Sequence, residues 1–166
     1  AFSEEQYDLL ITAKTASLLS GACETGAIRA PAAQRQALRE FGLRLGMAFQ
    51  IVDDLLDYTG DASITGKPVG ADLREHKVTL PLIHALPKLT ARQRRDVSAL
   101  MDTEVPTDDQ IAAVVDAVTE AGGLDYARER AQALSTSAEE ALEVLTPSPS
   151  REALRASIPF VLDRRS

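Results

Sequence analysis

Residues Ala32 to Tyr58 read AAQRQALREFGLRLGMAFQIVDDLLDY. At about 100° per residue, Leu38, Phe41, Leu45, Phe49, Val52 and Leu56 form one helical face, and Ile51 and Leu55 make a further side apolar. Gly46, Gln50, Asp53, Asp54 and Asp57 share a stripe roughly 100° wide. After Glu40 these three aspartates are the only acids in the run, whereas a surface helix shows a broad charged face. The pattern predicts a helix buried on most sides, its acidic stripe lining a cavity. Carboxylates crowded onto one packed face repel one another and lose hydration, so a cation is expected among them.

Outward from this run the chain reads as helix after helix, with no alternating strand and no internal repeat. Ser3 to Gln6 is a capping signature that opens a helix through YDLLITAKTASLLSGACETGAI, and Pro31 marks the start of the next one. Gly60, Gly66, Pro68 and Gly70 then break the pattern into a loop. A shorter helical segment, HKVTLPLIHALPKL, follows, with Pro81 near its start. Thr90 with Gln93 and Thr107 with Gln110 are two more capping boxes, opening ARQRRDVSALMD and DDQIAAVVDAVTEA. Gly122 and Gly123 end the latter. LDYARERAQALSTSAEEALEVL and, after Pro147 and Pro149, REALRASIPFVLDRR complete an all-α reading as a single helical domain over residues 1–166.

Composition narrows the function. Aromatics are only 4% and Trp is absent, which favours helix over sheet, while 45% hydrophobic content suffices for a core. A net charge of -7 argues against a nucleic-acid binder and admits a phosphate-bearing substrate only where a divalent metal reverses the local sign. Cys23 is the only cysteine, so no intramolecular disulfide is possible and a reducing, cytoplasmic setting is expected. No apolar run reaches the roughly 18 residues of a membrane span, and no signal peptide opens the chain. The first residue is Ala1, not Met, so a piece of something longer is expected.

Carboxylates at i, i+1 and i+4 can converge on one hard cation, and magnesium suits them because it is shared between one or two carboxylates, waters and a substrate phosphate. The spacing lacks the alternating ligands of a calcium loop, and no His/Cys set recommends zinc. Taken alone, DDxxD is equally compatible with a solvated acidic patch. The downstream Gly/Pro loop, however, carries Lys67, then Asp72 and Lys77. Lysine is a point charge suited to phosphate, and lysines beside a carboxylate cluster balance a metal–diphosphate site.

These motifs resemble a known family. GMAFQIVDDLLDYTGD and TGKPVGADLREHKVTLPLI are similar to the second aspartate-rich region of the trans-isoprenyl diphosphate synthases, or polyprenyl synthetases, and KTASLLSGACETGA resembles their Lys–Thr segment. One departure is His76, where that family often has glycine before the lysine. The resemblance implies the helical bundle of isoprenoid synthases, with Asp53, Asp54 and Asp57 holding Mg²⁺ on the diphosphate of an allylic substrate and Asp72 supporting that ion through water. It further implies that Lys14, Lys67 and Lys77 contact the diphosphate, and that Thr15 and Gln50 face the reacting end of the allyl chain. Without it, Gln50 reads as a core amide and Thr15 as a spacer between packed helices. His76 and His84 read as surface or helix residues and Cys23 as a small packing residue.

The implied reaction is prenyl transfer: the allylic diphosphate ionises, isopentenyl diphosphate attacks the cation, and a proton is lost. The family's first aspartate-rich helix is not in these 166 residues. The expectation is therefore the C-terminal half of a larger, homodimeric synthase, inactive by itself and completed by a missing N-terminal half or partner chain. A non-catalytic helical partner subunit is the alternative.

Overall fold

Every element formed by the described residues is helical. The structure, a computed structural model, describes residues 2–59 and 69–163. They divide into two units, one built from the described parts of Ala1–Tyr7 and Asp53–Arg128 and the other from Asp8–Val52 and Glu129–Arg164.

α1 (Glu4–Ile11) begins in the first unit; from Asp8 on, in the second, the chain runs through a π-helical turn, Thr12–Ala16, into α2 (Ser17–Gly26). The sequence predicts one uninterrupted helix here, and the widened turn is the difference. α3 (Ala32–Thr59) spans 28 residues and buries Phe41, Leu45, Ala48, Ile51 and Val52, as its apolar faces predict. Two glycines let α3 approach its neighbours at backbone distance. A Cβ on Gly46 would stand 2.7 Å from Ala16 Cα, and one on Gly42 would stand 2.6 Å from the Leu19 carbonyl oxygen. Ser20, also buried, donates its hydroxyl to the Arg39 carbonyl at 2.9 Å. The later helices of this unit bury Leu134, Ala138, Leu142, Ile158 and Val161.

The first unit contains α4 (Ala71–Arg74), α5 (Leu80–Ala85), α6 (Ala91–Asp102) and α7 (Asp108–Glu120), and receives the start of α8 (Gly123–Ala141). The predicted helix over HKVTLPLIHALPKL begins only at Leu80, with Pro81 in its first turn, and Lys77–Thr79 are not helical. Both threonine capping boxes form: Thr90 and Thr107 each accept from the backbone amide three residues on, while Gln93 and Gln110 reach back to the cap amides. Leu100, Ile111, Val114 and Val118 supply the core between these helices. Gly122 has φ +75° and reverses the chain after α7, while a side chain on Gly123 would collide with the Pro81 carbonyl. In the other unit, α9 (Pro149–Leu162) starts at Pro149 with Ser148 as its cap and keeps Pro159 inside the helix.

α4 is short and held from outside itself. Arg74 donates to the Pro106 carbonyl at 3.2 Å and pairs with Asp108. Gly70, its cap, has φ +78° and lies so close to Ile111 that any side chain there would overlap it.

Candidate active site

The last two turns of α3 deliver the aspartates, and the three go to different surroundings. Asp53 is exposed. Asp54 is buried, and its Oδ2 accepts from the hydroxyl of Tyr7 at 2.7 Å. Asp57 is half-buried and accepts the backbone amide of Asp72 on Oδ2 at 3.0 Å, while its own carbonyl accepts from Gly70 at 2.8 Å. These bonds join the far side of the glycine-containing segment back to α3 at the residue where a metal ligand is expected.

Asp72 and Lys77 complete this corner. Lys77 Nζ lies 2.9 Å from Asp72 Oδ1 and 2.6 Å from Glu75 Oε2. Hydrogen bonding to Glu75 and then to Asp72 holds the ammonium above the usual lysine range. Burial pushes the Asp57 carboxyl up, and the Asp72 carboxylate adds to that, while the amides of Asp72 and Ala71 and the Lys77 charge oppose it. A half-desolvated carboxylate beside a second one is an environment that a cation relieves. Behind it, Tyr58 is buried and accepts from the Thr79 hydroxyl at 3.3 Å, and burial pushes its own phenol up.

No group of three or more His, Cys, Asp or Glu side chains gathers as a ready cage among the described residues. The structure brings Asp57, Asp72 and Lys77 together, while Asp53 is exposed and Asp54 bonds to Tyr7. The hard oxygen donors at Asp57 and Asp72 fit magnesium, which binds through one or two carboxylates and leaves its other positions to water and phosphate. Lys67 lies outside the described residues.

In the other unit, Lys14 and Thr15 sit in the π-helical turn, and Lys14 is exposed. Thr15 donates its hydroxyl to Gln50 Oε1 at 2.9 Å, and Gln50 is 4% exposed. The Gly46–Ala16 approach sets this pairing, because it places the turn directly on α3. Widened turns of this kind are frequent at functional positions. Cys23 is half-buried and its thiol is pushed up by burial, which suits a packing residue rather than a nucleophile.

Sequence reasoning missed Tyr7 and Glu75. Tyr7 is 47 residues from Asp54, and nothing local signals the contact. Tyr7→Phe removes the donor to a buried carboxylate and is expected to cost about 1–3 kcal/mol in denaturant unfolding of the intact protein. Unchanged stability would show that Asp54 does not depend on that hydroxyl. His84, a helix residue as read, stacks on Tyr126 with ring centroids 3.9 Å apart, and Tyr126 donates to Glu4 at 2.7 Å.

The fold is all-α, with the acid-rich end of α3 beside Asp72 and Lys77. The polyprenyl synthetase family model matches residues 1–118, and the chain belongs to that family. It is 38% identical over 154 residues to the octaprenyl diphosphate synthase of Escherichia coli, covering 92% of this chain and 47% of that one. The crystal structure of a decaprenyl diphosphate synthase from Rhodobacter capsulatus superimposes with a TM-score of 0.91 at 36% identity, covering 100% of this chain and 52% of the other. The polyprenyl synthase from Caulobacter crescentus CB15, complexed with calcium and isoprenyl diphosphate, also gives 0.91, at 34% identity, covering 99% and 51%. The fold is thus that of the isoprenyl diphosphate synthases. The chain spans about half the length of the curated relatives it matches. No helix among the described residues is long and apolar enough to cross a membrane.

Proposed function

We propose that residues 1–166 form one half of a larger isoprenoid synthase domain and supply the second aspartate-rich side of a prenyltransferase site. The reaction is condensation of an allylic diphosphate with isopentenyl diphosphate, lengthening the chain. The observation that carries this reading is the Asp57–Asp72–Lys77 corner, where a half-buried carboxylate, a second carboxylate and an ammonium meet beside the end of α3.

In this reading Asp57 and Asp72 would hold magnesium, with Asp53 exposed on the same end of α3, and Asp54 serves chiefly to anchor α3 through Tyr7. Bound there, magnesium would offset the negative charge that builds on diphosphate as the carbon–oxygen bond breaks. Lys77, with Lys14 and Lys67, attracts the same group and orients it. Thr15 and Gln50 present oxygen dipoles toward the reacting end of the allyl chain, with Gln50 fixed in place by the Thr15 hydroxyl. The densely apolar helices keep out water that would quench an allylic cation.

The remainder of the site comes from protein outside these residues. Leu9, Leu10, Leu18 and Ile28 are 66%, 52%, 76% and 67% exposed along α1, α2 and the turn that follows, a surface suited to cover by further chain or a second subunit. A homodimer in the cytoplasm is the setting we assign. Incubating the intact protein with allylic diphosphate and labelled isopentenyl diphosphate should yield a longer prenyl diphosphate with magnesium and none with a chelator. Absence of product, with stimulation of another synthase on mixing, would instead favour a helical partner subunit.

A further inference from the structure

We propose that His76 is a positioning residue that sets Lys77 against Asp72, an inference that rests on the reading of the acidic corner given above. His76 has φ +56°, the only non-glycine residue in the left-handed region among the described residues. It stands just past the end of α4, where its amide donates to the Leu73 carbonyl at 3.0 Å and the amide of Lys77 donates to the Asp72 carbonyl at 2.8 Å. This pair of reversed bonds is the Schellman closure of a helix, and it requires the intervening residue to be left-handed. The reversal turns Lys77 back over the helix it has just left, so that its ammonium reaches Asp72 Oδ1 at 2.9 Å.

Glycine adopts that conformation freely and histidine does not. The histidine brings something glycine lacks. Its Nε2 lies 2.9 Å from the Thr103 carbonyl oxygen, and because a carbonyl only accepts, Nε2 carries the proton. Thr103 is itself fixed at the end of α6: its amide donates to the Leu100 carbonyl at 3.2 Å, its hydroxyl donates to the Ala99 carbonyl at 2.6 Å, and it accepts from Gln110 at 3.2 Å. The ring therefore ties the turn to a capped, rigid corner. A surface histidine with no task would need neither the strained backbone nor the anchor. Here the anchor holds the strained conformation, and the conformation aims the lysine.

Two variants of the intact protein separate these parts. His76→Gly keeps the left-handed turn and loses the anchor, while His76→Val also makes the left-handed turn unfavourable. Magnesium binding by calorimetry is expected to weaken about threefold in His76→Gly and about tenfold in His76→Val. The KM for allylic diphosphate should rise in the same order while kcat changes little. Exchange of the Lys77 amide proton, which donates to the Asp72 carbonyl at 2.8 Å, should quicken in both. A purely structural role would lower thermal stability and leave the metal affinity and the KM of the folded protein untouched, which would overturn the proposal. Should His76→Val fail to fold, His76→Gly alone decides, and wild-type behaviour in all three readouts overturns it. A wild-type protein that binds neither magnesium nor allylic diphosphate would instead sink the site assignment, with exchange of the Lys77 amide still reporting whether His76 holds the turn.

Discussion

Asp57→Asn in the intact protein is expected to lower prenyl transfer by about a hundredfold or more, because it removes charge where metal and diphosphate are held. The same substitution should leave the metal-free fold as stable as before at neutral pH, or more so. Asparagine still offers an oxygen to the Asp72 amide, which reaches Asp57 Oδ2 at 3.0 Å. It also relieves a carboxylate that burial, followed by the Asp72 carboxylate, disfavours. The sign follows from proton linkage. The Asp57 carboxyl is raised in the folded protein, so between the ordinary carboxylate range and its raised value the folded state binds more protons than the unfolded one. Stability is thus lost as pH rises through that window, and Asp57→Asn should abolish that part of the loss. Thermal melts in chelator across acidic to neutral pH, paired with turnover, measure both halves. A variant that melts well below wild type would mean that Asp57 is a structural residue, and full turnover would remove it from the site.

Gly46→Val is expected to produce the largest loss of stability. Any Cβ at position 46 meets Ala16 Cα at 2.7 Å, a contact with backbone that no rotamer change can relieve. The cost should be about 3 kcal/mol, at the upper end of the range for overpacking, with the π-helical turn forced away from α3. Since that turn carries Thr15, whose hydroxyl reaches Gln50 at 2.9 Å, turnover should fall alongside stability. Denaturant unfolding with circular dichroism provides the number. Wild-type stability would show that the two segments do not approach as closely as described.

The all-helical character and several helix starts were legible because they depend on neighbours in sequence. Ser3 with Gln6, Thr90 with Gln93 and Thr107 with Gln110 satisfy free amides within a single turn, and each pair forms as read. The apolar faces of α3 were equally plain, since a 3.6-residue period needs no knowledge of the partner surface. The segment after the loop was read as helix too early. Its composition is helix-compatible, but the left-handed His76 and the extended Thr79 before Pro81 end one helix and delay the next.

The site divides along the same line. Spacing alone placed Asp53, Asp54 and Asp57 on one stripe, and local sequence put Asp72 and Lys77 shortly downstream. Which carboxylate would meet which partner depended on groups far along the chain: Tyr7 draws Asp54 inward across 47 residues, and Asp72, 15 residues on, engages Asp57 through its amide. A helical period fixes the direction of a side chain relative to its own axis. The charge, hydrogen bond or backbone that it then meets is contributed by segments brought close only when the chain folds.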